Sequence, residues 1–317
     1  MHDDPSRRSL SFTSLWVLRV VLLARSIGLG CSYLWHPMER ESDIHGTLYF
    51  EWGWPESTAI AVENAGMWFI AVGAVVILMM NIVVRNQPKG GAGSLARVWR
   101  VIEIAMLAFF VFWEVAMAAG LTFRGGKFLS SWALGSHGLR IAVPASLLLH
   151  ATGFGAKAAT RILYAGTITT FLVHGCQAWL GSPVFITMII TTLQSYFDWA
   201  IEQSKVEQIL KVIGVMDVCV VGVILLLARS RNVLRKVLLG TLLWMAFWGL
   251  VTAVGRTTGA SFGTYPETLL RLVHLGGPLV LYLEWSRCLP SQPIGSSVLE
   301  RQPNVHPLPT GEQPELF

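Results

Sequence analysis

The residues of this chain that could do chemistry are ionisable side chains set inside long apolar runs: Glu114, Arg140, His174, Asp217, Arg271 and His274. An ionisable group within a membrane span costs about 2.5–3.5 kcal/mol on insertion scales unless it is paired or hydrated, so each raises a functional question. By position along their runs, five of these six fall in the half expected to face outward, with His137, Gln177 and Glu63, while Asp217 lies nearer the middle. Arg19, Arg25, Glu103, His150 and Glu284 fall in the cytoplasmic half. A quinone head group needs a donor such as His or Arg at each carbonyl inside an apolar, aromatic cleft. Trp113 and Trp248, with Phe112 and Phe247, would wall such a cleft. The alternative is internal pairing, Arg140 with Glu114 or Asp217, and each His with a backbone carbonyl on a neighbouring helix.

Two neutral imidazoles at one depth on facing helices can also ligate haem iron, which His174 and His274 approximate. Only one half of the chain carries such a pair, so haem is disfavoured; the cofactor stays open, with quinone as a candidate. Glu103 and Glu114, eleven residues apart on one helix, are separated by about 16 Å of rise, too far for a shared-proton dyad. The four cysteines, Cys31, Cys176, Cys219 and Cys288, form no C-x-x-C and no metal-ligand spacing, so no metal site is read. Small buried apolar packing is their plain role, with Cys31–Cys176 as a candidate disulfide. No catalytic constellation emerges.

The elements that must position these groups are membrane helices. Of 317 residues, 53% are hydrophobic and 14% charged, against about 25% charged in soluble domains. The net charge of +5 is spread in short patches between apolar runs rather than on one face, which argues for positive-inside topology and against nucleic acid as a partner. The N-terminal MHDDPSRRSLSFTS has no short apolar core followed by a small-residue cleavage site, so no cleaved signal peptide is expected.

Eight stretches reach the length needed to cross a bilayer, near 15–36, 58–84, 98–120, 139–155, 158–180, 208–228, 235–255 and 268–286. Their connections alternate between acidic or aromatic and basic, which puts both termini in the cytoplasm and the protein in the inner (cytoplasmic) membrane. The expected organisation is a cytoplasmic segment 1–14, a first four-helix unit 15–155, a second 156–287 and a mobile cytoplasmic tail 288–317.

The two units are read as repeats. Val98–Gly120 laid on Val233–Gly255 at an offset of 135 agrees at seven of 23 positions, including Arg100/Arg235, Phe112/Phe247, Trp113/Trp248 and Gly120/Gly255. Leu139-Arg140 is matched with Leu270-Arg271. A repeat of four spans keeps the orientation of both halves, giving an all-α fold of two parallel four-helix repeats. Gly28, Gly30, Gly66, Gly73, Gly214, Gly222, Gly276 and Gly277 are expected at helix contacts.

The stretch RILYAGTITTFLVHGCQAWLGSPVFITMI, from Arg161 to Ile189, resembles the opening of DoxX-like membrane proteins. The shared features are an Arg at the cytoplasmic start, His174-Gly175 near the far end and a short hydrophobic segment before the next span. The resemblance covers 158–286 and, more loosely, 15–155, where Gly30-Cys31 has no preceding His. It implies a tandem DoxX-like protein, a superfamily of four-span proteins that includes redox-associated membrane subunits. The function expected is an accessory subunit of a larger membrane complex, redox or quinone-linked. A transporter or channel with a polar cleft between the repeats, and a quinone-reactive oxidoreductase, are the competing readings. Other membrane or extracytoplasmic subunits would dock on the outer aromatic loops, at Trp52, Trp54, Phe185, Ile186, Tyr196 and Trp199, which also suit an aromatic belt at the lipid boundary.

Overall fold

The computed structural model describes residues 10–35, 43–85, 94–125, 128–228, 233–258 and 265–287. The expected segment before residue 10, the basic loop around Lys89, Cys288 and the tail 288–317 lie outside the described residues. Among the described residues the chain is helical, without strands, as apolar runs must be when lipid offers the backbone no hydrogen-bond partners. After a one-turn helix α2 (Asp43–Gly46) is set aside, five helices are each long and apolar enough to cross a bilayer: α1 (Phe12–Trp35), α3 (Glu56–Arg85), α4 (Ser94–Arg124), α9 (Gln203–Leu227) and α10 (Val233–Thr258). This is a multi-pass membrane protein in contact with lipid.

The other three expected spans are less simple. Residues 158–180 lie in α7 (Gly155–Trp179), which meets α8 (Pro183–Phe197) at 77°, and the pair counts as a sixth span if taken together. Stretches 139–155 and 268–286 fall on two 14-residue helices, α6 (Gly138–Ala151) and α12 (Val273–Ser286). At about 1.5 Å per residue each covers only some 21 Å. Short helices precede them, α5 (Ala133–Ser136) and α11 (Tyr265–Arg271), with breaks at His137 and Leu272. The α6 helix stops at Ala151 because the chain turns sharply to α7 through Gly153 and Gly155, both at positive φ, a backbone state glycine adopts without steric cost.

Side-chain caps show which ends share a face. Ser11 caps α1 by accepting from the Ser14 N–H at 3.1 Å, and Glu284 near the end of α12 accepts from the Ser11 N–H (2.8 Å) and the Ser14 hydroxyl (2.6 Å). A carboxylate at a helix N-terminus also meets the positive end of its dipole. Arg100, in the second turn of α4, donates to the Ala151 carbonyl closing α6 at 2.8 Å. Arg235, at the start of α10, does the same to Trp285 near the end of α12 at 2.6 Å. The start of α1 and the end of α12 therefore lie at one end of the bundle, here the terminal face.

Packing follows a regular scheme. The α1 helix lies against α3, α3 against α4 and α4 against α6; likewise α7 against α9, α9 against α10 and α10 against α12. Two seams join these sets, α6 on α7 and α1 on α11 and α12. Most of the expected glycines make the approaches close. A Cβ at Gly28 would stand 2.8 Å from the Pro266 carbonyl oxygen, and one at Gly214 would stand 2.5 Å from the Trp179 nitrogen. Gly66 lies under the Trp113 ring, Gly73 faces Phe110, and Gly276 and Gly277 receive Val21 and Leu139. Gly222 is the exception, with open space around it, and Gly30 meets only Ala71 at 3.9 Å. Gly214→Ala is expected to cost about 1–3 kcal/mol through forced separation of α7 and α9, whereas Gly222→Ala should leave stability unchanged or slightly raised; thermal unfolding of the two variants in detergent measures both.

Candidate functional site

Two ion pairs tie α1 to α4. Near the terminal face Arg19 donates to Glu103 at 2.5 Å. Deeper in the bundle the Arg25 guanidinium grips Glu114 at two points, Nε to Oε1 and Nη2 to Oε2, both at 2.6 Å. Its remaining arm reaches the Leu270 carbonyl of α11 at 3.2 Å. Arg25 and Glu114 are 1% and 2% exposed. Glu114 therefore pairs with Arg25 and not with Arg140, the partner its depth suggested, and Arg25 reaches the level assigned to the outer group. Glu103 and Glu114 are each engaged by an arginine of α1, which leaves neither as an open proton station.

Around this pair the two seams converge. The break before α6 supplies His137 and Arg140, α7 supplies His174, the end of α10 supplies Arg256, α11 supplies Glu267 and Arg271, and α12 opens with His274. Arg271 pairs with Glu267 within α11. The Arg140 Nη1 lies 3.2 Å from His137 Nε2. A guanidinium only donates, so that imidazole nitrogen accepts and His137 carries its proton on Nδ1. Arg140 lies within electrostatic reach of Arg25, Arg271, Glu114 and Glu267, and His274 within reach of His174, Arg140, Arg271 and Arg25. The rings of His174 and His274 meet edge to face with centroids 5.2 Å apart. Phe185 of α8 closes the group, edge-on to His174 at 6.2 Å and 5.2 Å below the Arg256 guanidinium.

The six ionisable residues singled out in the sequence thus divide. Glu114, Arg140, His174, Arg271 and His274 come together; Asp217 does not join them. Its buried side chain lies beside the Trp248 indole, and its Cβ sits against Gly175 on α7. Trp113 is buried against Gly66 on α3. Neither tryptophan is seen to wall the cluster, and Phe112 and Phe247, 65% and 55% exposed, point outward. Arg140 and Arg271 are not placed alike: Arg140 lies inside α6 past its break, Arg271 before the break that starts α12.

Residues that the spacing did not assign to the site are Arg25, His137, Arg256 and Glu267. Only His137 carried a usable signal, three residues before Arg140 at the start of an apolar run. Phe185 and Ile186, expected on an exposed helix, turn inward: Phe185 to the cluster, Ile186 into a small core with Ala178, Val206 and Leu210. Trp52, Trp54, Tyr196 and Trp199 are exposed as an aromatic belt requires. Trp52 and Trp54 follow a short π-helical turn (Thr47–Glu51), where Arg124 at the end of α4 covers the Phe50 ring at 5.9 Å.

The arrangement limits the chemistry. Two imidazoles in direct edge contact leave no room for a porphyrin between them, so the pair does not fit bis-histidine haem. Para carbonyls of a quinone point in opposite directions, and both imidazoles would serve one end only. Among the described residues no group of three or more His, Cys, Asp and Glu could hold a metal ion. Cys31 and Cys176 are free thiols. What remains is a buried to half-buried cluster dominated by donors. No family model matches the chain, and neither a curated protein nor a solved structure is significantly similar to it.

Breaking the Arg25–Glu114 pair from one side leaves a buried charge alone, which costs about 3–5 kcal/mol. Arg25→Gln and Glu114→Gln should each destabilise the protein on that scale, and the double variant should recover much of the loss. Chemical unfolding of the double-mutant cycle in detergent tests the coupling.

Proposed function

We propose that the protein is an accessory subunit of a larger membrane assembly, built of two parallel four-helix units, which holds a ligand at the junction between them. The observation that carries this reading is the burial of polar donors with no partner, Arg140 Nε and His274 Nε2, where the two seams meet. Buried polar groups are nearly always satisfied, and exceptions mark functional sites or missing partners.

Several features support the two-unit reading. The helix pairings recur in the same order, and each fourth helix carries a proline, Pro144 and Pro278, 134 residues apart. Arg100 and Arg235, already aligned by sequence, cap Ala151 and Trp285, again 134 apart. At that spacing His137 corresponds to Arg271 and Arg140 to His274. The site thus draws on the same two positions of each unit, in reversed order of residue type. The terminal face also holds Arg97, Arg100, Lys157, Arg161, Arg235 and Lys236, which favours a cytoplasmic location for both termini.

The resemblance to DoxX-like proteins implies a redox or quinone-linked partner. The exposed aromatic residues Trp52, Trp54, Tyr196 and Trp199, at the end opposite the terminal face, would give that partner its docking surface. A transporter is the second reading. It is favoured by the interrupted helices α5–α6 and α11–α12 meeting at the site, an arrangement that transporters use at their substrate sites.

Gentle extraction into nanodiscs, followed by mass spectrometry and an absorption spectrum, is expected to retain further subunits and a bound small molecule, the latter lost in Arg140→Gln. A lone, ligand-free protein would sink the accessory-subunit reading, and flux of a substrate into proteoliposomes would replace it with transport.

A further inference from the structure

The charges at the junction do not balance locally. Both oxygens of Glu114 are occupied by Arg25, and Glu267 is paired with Arg271. Between these pairs lies Arg140, whose hydrogen-bond partner is the neutral, accepting His137 and whose Nε is buried without one. Beside it His274, 4% exposed, buries an Nε2 that also has no partner. Arg140 is half-buried, and a guanidinium partly withdrawn from water without a counter-ion is costly. A neutral ligand such as a quinone would fill hydrogen bonds here but leave that charge standing.

We propose that the ligand of this junction is an oxyanion, a carboxylate or phosphate group, held by the Arg140 guanidinium and the His274 imidazole. This rests on the reading of the junction as a binding site and names the chemistry it takes. The planar guanidinium presents donors to two oxygens of one anion at once. His274 adds a neutral donor when its proton is on Nε2, the nitrogen left unpartnered. Phe185 packs on the neighbouring His174 and Arg256, and Glu114 and Glu267 are each held by an arginine of their own. The anion can come from two sources, the head group of an acidic phospholipid entering between helices or a small organic acid from the water at the face opposite the termini.

The test is thermal unfolding and native mass spectrometry of the full chain in phosphatidylcholine nanodiscs. One arm adds phosphatidylglycerol to the bilayer, a second adds sodium succinate against sodium chloride at equal ionic strength, and a third adds the neutral quinone decylubiquinone. The expected result is stabilisation and retained mass with phosphatidylglycerol or succinate; the responding arm identifies the source. Arg140→Gln should weaken binding roughly tenfold to a hundredfold, the range for one charge-assisted hydrogen bond, and His274→Phe should also weaken it. Arg140→Lys should keep part of the response. Without ligand, Arg140→Gln should unfold no lower than the wild type, because an uncompensated charge is removed. Stabilisation by decylubiquinone and by neither anion would overturn the oxyanion while leaving the binding site standing. No response in any arm, with Arg140→Gln less stable than wild type, would overturn both and make the cluster a structural network.

Discussion

The Arg25–Glu114 ion pair is the interaction on which the centre of the molecule depends. Each ion loses its hydration, a penalty that mutual attraction offsets only with good geometry and further hydrogen bonds. Both conditions hold: two parallel N–H···O contacts join the side chains, and the third guanidinium nitrogen reaches the Leu270 carbonyl. The pair fixes α1 against α4 within the first set of helices and against α11 in the second. It sits next to Gly28, where the α11 backbone approaches α1 too closely for any side chain. Packing and charge thus set one seam together.

The second seam is apolar and tight by other means. Gly138 and Gly166 bring α6 and α7 together, the Leu139 N–H donates to Thr170 at 2.8 Å, and Ser146 donates to the Ala159 carbonyl at 2.7 Å. These bonds hold the start of α6, and with it His137 and Arg140, at fixed depth. On the far side Gly249 of α10 lets the backbone of α12 approach, since a Cβ there would stand 2.5 Å from the His274 carbonyl oxygen. Gly249 is the residue that the 135 offset aligns with Glu114. Where the first half has a carboxylate held by Arg25, the second has a gap filled by the helix that carries His274. That difference makes the junction asymmetric and leaves its cations in excess.

Membrane class, helical content and the approximate positions of the five long apolar helices were legible in the sequence, because lipid forces the backbone to satisfy itself and apolar length alone marks a span. The alignment of Arg100 with Arg235 was legible too, and each side chain donates to a carbonyl near the end of a 14-residue helix. The outward faces of Phe112 and Phe247 were not. A Phe-Trp pair in an apolar run reads the same whether it meets lipid or protein, since both surroundings are equally apolar. Inward and outward residues of α8 were confused for the same reason, with Phe185 and Ile186 turned in and Tyr196 out.

By itself the sequence determined that this chain lives in a membrane, which residues carry charge within it, and that five of the six singled out lie at comparable depth. Depth follows from position along a helix of known rise. Only the tertiary structure decided who meets whom: Arg25 with Glu114, Trp248 with Asp217, His174 with His274, and Arg140 with no carboxylate. Such choices depend on the rotation of each helix about its axis and on where α6 and α12 are broken. Those are set by glycine contacts and caps between segments tens to hundreds of residues apart, which no local pattern records.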